Sequence, residues 1–146
     1  MEIYLSGVSP STLSLHWPYC AVPLDKAMKK LTVAGKQKYS ADWVRGKIER
    51  GYMRLVRVVD GGQQVGFIVE RVDESLIRSY FIFFGYSDPG WTKANARKFW
   101  SLIKQRARSL GCDVVEYSGR KGWSRDPFGV EHKNLGIISY DMAAEV

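Results

Sequence analysis

The residues Gly119-Arg120-Lys121-Gly122-Trp123 form the most suggestive chemical grouping in this chain. Two cations between glycines, beside a tryptophan, suit contact with an anionic or protein partner, so Arg120, Lys121 and Trp123 are candidate partner-binding residues. An equally weighted reading packs Trp123 beneath the last strand and leaves both charges to water. A second concentration of charge lies between residues 92 and 110, where Lys93, Arg97, Lys98, Lys104, Arg106 and Arg108 occur without an acidic residue. Such a face can meet nucleic-acid phosphates, although a cationic face opposite an apolar stripe is more often solvated helix surface. His16 and His132 have no ligand cluster around them, and Cys20 and Cys112 form no metal-binding spacing, so no metal centre is expected. Cys112, following Gly111, reads as a small buried residue rather than a nucleophile. Gly35, Gly61 and Gly62 are turn glycines, and no P-loop is present.

The elements that must position these groups follow from hydrophobic periodicity. Ile3 and Leu5 alternate with polar neighbours in a short edge strand, and Pro18 interrupts the stretch after it. Pro23 opens a short helix, Leu24 to Lys30, and Ser40 caps a second that ends at Gly51. The period then changes to alternation. Leu55–Val59, the turn Asp60-Gly61-Gly62, Gln64–Val72 and Leu76–Phe84 form an antiparallel meander, whose last strand becomes continuously apolar as a central strand should. Ala96, Phe99, Trp100, Ile103, Ala107 and Leu110 make one stripe of a long helix stopped by Gly111. A strand at Val114–Tyr117 follows, so the helix is a crossover between parallel neighbours. Residues 118 to 134 are irregular, and Gly136–Met142 is the final strand.

With 146 residues, 45% hydrophobic and 25% charged, the chain is read as a single domain over 1–146. Its net charge of +7 favours an acidic partner without selecting one. No apolar run reaches the ~20 residues a bilayer requires, and no secretory signal is evident. The two thiols fit a reducing compartment, and a cytoplasmic location is expected.

The order of strand, two short helices, meander, long helix, strand and final strand resembles the GNAT superfamily of acyl-CoA-dependent N-acyltransferases over nearly the whole chain. That resemblance implies an α/β (α+β) fold: a mixed, mostly antiparallel central sheet, a long crossover helix and two short N-terminal helices. It also implies a cleft where the third meander strand parts from the strand after the long helix. The acyl-CoA arm would lie there, with its pyrophosphate at the helix start, where N–H donors and the dipole favour an anion. Leu110-Gly111-Cys112, then Gly119-Arg120-Lys121-Gly122-Trp123 and Phe128-Gly129, resembles the small GNAT-like proteins encoded among the head and tail genes of tailed bacteriophages. This implies a virion-associated or assembly protein with phage structural proteins as partners, in host cytoplasm and virion, needing no cofactor. The alternative is an active N-acetyltransferase that uses acetyl-CoA on an amine.

The resemblance also places candidate site residues. Phe84, Gly85, Gly90, Trp91 and Thr92 stand where the family holds acyl-CoA, but only the two glycines match its phosphate loop. Pro89 removes a donor, Trp91 adds bulk and Asp88 adds negative charge, and Phe83, Phe84 and Trp91 are expected to plug the cleft. Arg125 occupies the position of the family's frequent tyrosine acid, leaving Tyr117 and Tyr140 as candidates for that role. Glu116 is the nearest candidate base, set against the more frequent case of a solvent-facing strand residue.

Overall fold

The computed structural model describes residues 2–117 together with the strands Val130–His132 and Ile137–Asp141. In chain order these comprise β1 (Ile3–Gly7), a 3-10 turn at Pro10–Thr12, α1 (Leu13–Met28), β2 (Thr32–Val33), β3 (Lys36–Gln37) and α2 (Ala41–Glu49). The meander β4 (Arg54–Asp60), β5 (Gln63–Glu74) and β6 (Arg78–Ser87) follows, then α3 (Trp91–Ser109), β7 (Val114–Tyr117), β8 (Val130–His132) and β9 (Ile137–Asp141). The main sheet runs β1-β4-β5-β6-β7-β9-β8. Among the described residues β6 and β7 alone pair in parallel, and the other ladders are antiparallel. The fold is thus the mixed, mostly antiparallel sheet with a long crossover helix that the sequence leads one to expect.

Helices cover both faces of the sheet. On one face α1 and α2 bury Trp17, Cys20, Leu24, Met28, Val44 and Ile48 against Leu55, Phe67 and Val69. On the other, Ile103 and Ala107 of α3 meet Val56, Val58, Ile68, Tyr80 and Val115. The period of two along each strand sends Phe67 and Val69 to the first face and Ile68 to the second. Gly61 and Gly62, at φ 59° and 82°, make the tight β4–β5 hairpin turn that two successive positive φ angles permit.

The first helix is longer than its prolines suggest. α1 is a single helix through Pro18 and Pro23, not a short one begun at Pro23. Each internal proline costs about 3 kcal/mol, but Leu13, Trp17, Cys20, Leu24 and Met28 fall on one face at three- and four-residue steps and are all buried. Burying large apolar side chains contributes about 1.5–3 kcal/mol each, which outweighs the two interruptions. The β2–β3 hairpin was not visible as strands in the sequence, being two residues per strand and exposed throughout.

Candidate active site

Among the described residues β7 pairs with β6 from Ser79 to Ile82, while β6 continues to Ser87 with β5 on its other side. Beyond Ile82, every second β6 residue turns its N–H and C=O away from β5. α3 then crosses over this edge. A cavity of about 620 Å³ opens between them, floored by Ile68, Ile82 and Phe83 through Ser87 and walled by Thr92, Ala96, Phe99, Trp100, Ile103 and Tyr117. Its size is that of a small-molecule site. The register passes from Val69 opposite Phe84 to Glu70 opposite Ile82, so Phe83 is the extra residue of a β-bulge on the cavity floor. Phe83 and Phe84 turn toward the α1–α2 core, packing near Tyr39, Trp43 and Phe67, while the space above the strand edge stays open. The expected plug is therefore not formed by these two rings.

At the mouth of the cavity, Gly90 has φ +80° and lets the chain turn into α3. The Trp91 N–H donates to the Asp88 carbonyl and the Ala94 N–H to that of Gly90, and no described backbone carbonyl accepts from Thr92 or Lys93. Asn95, at φ −122° and ψ 19°, kinks the helix after this first turn, and its side-chain amide donates to the Trp91 carbonyl at 2.9 Å. The Ser87 and Thr92 hydroxyls lie 2.5 Å apart beside those free donors. Two residues that look obstructive in the sequence are drawn elsewhere. Asp88 accepts a 2.7 Å hydrogen bond from the Tyr19 hydroxyl of α1, and burial together with that carboxylate raises the Tyr19 pKa. The Trp91 indole donates to Asp60 at 2.8 Å and packs edge-on against Phe99, away from the cavity lining.

Of the residues considered for catalysis, Tyr117 alone is shown lining the cavity, opposite Ile82 in register and edge-on to Trp100 at 6.2 Å. Burial pushes its phenol up to about 12, so it holds its proton across the physiological range. Glu116 sits one residue earlier, and strand alternation carries it to the opposite face beside Phe81, outside the cavity. A base at that position does not face this site. Tyr140 lies on β9 opposite Val115. Arg120, Lys121, Trp123 and Arg125 lie outside the described residues, as does the Gly119–Gly129 part of the sequence motif. Among the described residues there is no group of side chains fit to hold a metal ion.

Sequence reasoning passed over Glu70. This carboxylate is fully buried on the α3 face of β5, where it receives both Nε and Nη2 of Arg106, the Tyr80 hydroxyl at 2.7 Å and Arg54 Nη2 at 3.0 Å. It lies at the bulge, so the pair ties α3 to the sheet where the cavity begins. Its signal was a lone acid sharing a strand face with Ile68 and Val72.

No protein-family model matches the chain, and no curated protein sequence does. Its fold, however, is shared with solved acetyltransferases. The PaiA N-acetyltransferase from Thermoplasma acidophilum, in complex with coenzyme A, superposes with a TM-score of 0.62 at 15% identity, covering 97% of this chain and 99% of that one. The NatC complex bound to Gag peptide and CoA gives 0.58 at 14% identity, over 83% of this chain and 76% of that chain. A ribosomal-protein-alanine N-acetyltransferase from Brucella melitensis biovar Abortus gives 0.58 at 11% identity, with 86% and 83% covered. The chain has the fold of GNAT acetyltransferases.

Proposed function

We propose that this GNAT-fold chain is an acyl-CoA-dependent N-acyltransferase, with acetyl-CoA as donor and an amine as acceptor. The observation that carries the reading is the cavity that, among the described residues, lies between α3 and the part of β6 beyond its pairing with β7. An amide-bearing arm can lie along that edge as an added strand would, bonding the outward N–H and C=O groups. The Thr92 and Lys93 N–H groups and the Ser87 and Thr92 hydroxyls offer donors for phosphate, and Lys93, Arg97 and Lys98 add positive charge. Because Asp88 is engaged by Tyr19 and Trp91 by Asp60, the departures from the usual phosphate loop leave this position accessible. Pro89 still removes one donor, so phosphate binding relies on fewer backbone groups than a glycine-rich loop supplies.

The bound thioester supplies an activated acyl carbon: an N–C bond forms to the amine, the C–S bond breaks, and the proton lost by nitrogen goes to sulfur. The bulged Phe83 brings a backbone segment outside the β5 ladder to the cavity floor, suited to orienting the acyl carbonyl. Tyr117 presents a protonated phenol at the cavity wall. With its pKa about 12, against ~8.5 for a thiol, full proton transfer costs about 5 kcal/mol. Tyr117 therefore serves the departing sulfur as a hydrogen-bond donor. The amine proton passes to the departing sulfur by way of solvent; among the described residues that line the cavity there is no carboxylate.

The alternative role in a virion rests on a motif that lies largely outside the described residues, and solved structures of this fold include several acetyltransferases. Acyl transfer is the better supported function. It is tested by following CoA thiol release from acetyl-CoA over a panel of peptide and small-molecule amines. Release that requires both an amine and an intact Gly85 supports the reading; thiol release no faster than the enzyme-free blank with every amine would sink it.

A further inference from the structure

The acyltransferase reading leaves the acceptor open, and a continuous surface beside the cavity bears on it. Phe83 of the cavity floor also packs against Tyr39 at 5.3 Å and Trp43 at 6.0 Å between ring centroids. From there the surface runs in two directions. Lys38 Nζ lies 5.2 Å from the Tyr39 ring, and the Lys38 N–H donates to the Leu31 carbonyl across the β2–β3 hairpin, where Leu31 and Val33 are exposed. Lys47 Nζ lies 5.2 Å from Trp43 and 5.0 Å from the exposed ring of Tyr52. Residues 29 to 50 hold five lysines and two arginines against Asp42 and Glu49 alone. This segment therefore carries a net +5 of the chain's +7.

We propose that this strip, from Leu31 through Lys38, Tyr39, Trp43 and Lys47 to Tyr52, holds an acidic polypeptide whose amine enters the cavity past Phe83. The transfer to that amine rests on the acyltransferase reading; the binding does not. Charge complementarity requires an anionic occupant. The ring faces then choose between polypeptide and nucleic acid. Tyr39 and Trp43 cover one another at 4.6 Å and 32°, and the lysine ammoniums lie over their rings, which leaves Tyr52 as the ring of the strip most open to a stacking base, a single platform where single-strand binding uses several in succession. Ammonium groups between ring edges and exposed aliphatic side chains match carboxylates interspersed with apolar residues. The strip also extends beyond the cavity in both directions, which a small amine would leave unused.

The test is fluorescence anisotropy on the full chain without CoA. The probes are labelled ten-residue peptides of alternating Asp/Glu and Leu, a length-matched Lys/Leu peptide, and a ten-nucleotide single-stranded DNA. The acidic peptide should bind at least tenfold tighter than either other probe, weaken at least tenfold in K38E/K47E, and recover in K38R/K47R, all with unchanged circular dichroism. Equal binding of acidic and basic peptides, tighter binding of the DNA, or indifference to K38E/K47E overturns the proposal. A parallel CoA titration separates the two readings: peptide binding without CoA binding overturns acyl transfer and leaves the strip, and the converse overturns the strip alone.

Discussion

Replacing Glu70 by glutamine keeps the side chain's shape and removes its charge from a site with no solvent exposure. Three partners converge there: Arg106 through two nitrogens, Arg54 and the Tyr80 hydroxyl. Glutamine keeps one acceptor oxygen, enough for the Tyr80 hydroxyl and Arg106 Nε, but its NH2 is a donor where Oε2 accepted from Arg106 Nη2 and Arg54 Nη2. The Arg106 side chain is only 20% exposed and is left as a largely desolvated cation. Breaking a buried pair in this way costs about 3–5 kcal/mol. For a domain near this size each kcal/mol moves the melting temperature by about 2–4 °C, so Glu70→Gln should lower Tm by roughly 6–20 °C. Arg54 meets the same carboxylate with a side chain 45% exposed, and Arg54→Ala should cost no more than about 1 kcal/mol. Calorimetry and urea unfolding of both variants check this ordering. If Glu70→Gln costs less than about 1 kcal/mol, or no more than Arg54→Ala, the pair does not anchor α3 and the reasoning fails. Acetyl-CoA affinity should fall with the same variant, since Arg106 joins the cavity's helical wall to its floor.

Two glycines on neighbouring strands should separate folding from binding. A Cβ on Gly66 would sit 2.3 Å from the Tyr86 carbonyl oxygen, so Gly66→Ala should destabilise by about 1–3 kcal/mol in denaturant titration. A Cβ on Gly85 meets nothing within 4 Å yet lies in the cavity lining, so Gly85→Leu should melt like wild type while weakening acetyl-CoA by at least about tenfold, ~1.4 kcal/mol. Tyr117→Phe removes one hydrogen-bond donor to the departing sulfur and should lower kcat roughly 10²-fold with little change in cofactor affinity, measured by thiol release. The same tyrosine ionises near 10 in an unfolded chain and at about 12 when folded, so folding favours its protonated form. Its stabilising contribution is complete below pH 10, is lost as pH rises toward 12, and should vanish from the alkaline unfolding profile of Tyr117→Phe. Cys20 is fully buried, and burial pushes its thiol up to about 12. It should resist a thiol reagent at pH 8 in the native protein and react on unfolding.

Periodicity carried the architecture. The apolar stripe of α3, the Gly61-Gly62 turn and the apolar end of β6 each depend on residues close in sequence, and each element stands where those residues place it. The crossover linking β6 to β7 followed from the short helix-to-strand return at Gly111. What could not be read depends on partners far along the chain. Asp88 is engaged by the hydroxyl of Tyr19, 69 positions earlier, and Trp91 is held by Asp60, 31 positions earlier. Local rules describe Asp88 as a charge and Trp91 as bulk, and only the packed sheet shows where each side chain goes. Pro18 and Pro23 misled in the opposite sense, because a local penalty was outweighed by a buried face that exists only against β4 and β5. At Glu116 and Tyr117 the alternation was legible, but the location of the cavity was not. Once β6 and α3 define that face, Tyr117 belongs to it and Glu116 does not.

If acyl-CoA is held by β6 beyond Ile82 and by the start of α3, both the β6 backbone and the helix N-terminus must be reachable from the cavity. Isothermal titration of acetyl-CoA into wild type and Gly85→Leu tests that placement directly. Wild type should show saturable one-to-one binding in the micromolar range, weakened at least about tenfold in the variant. No heat of binding at millimolar acetyl-CoA, or equal affinity in the two proteins, would contradict it.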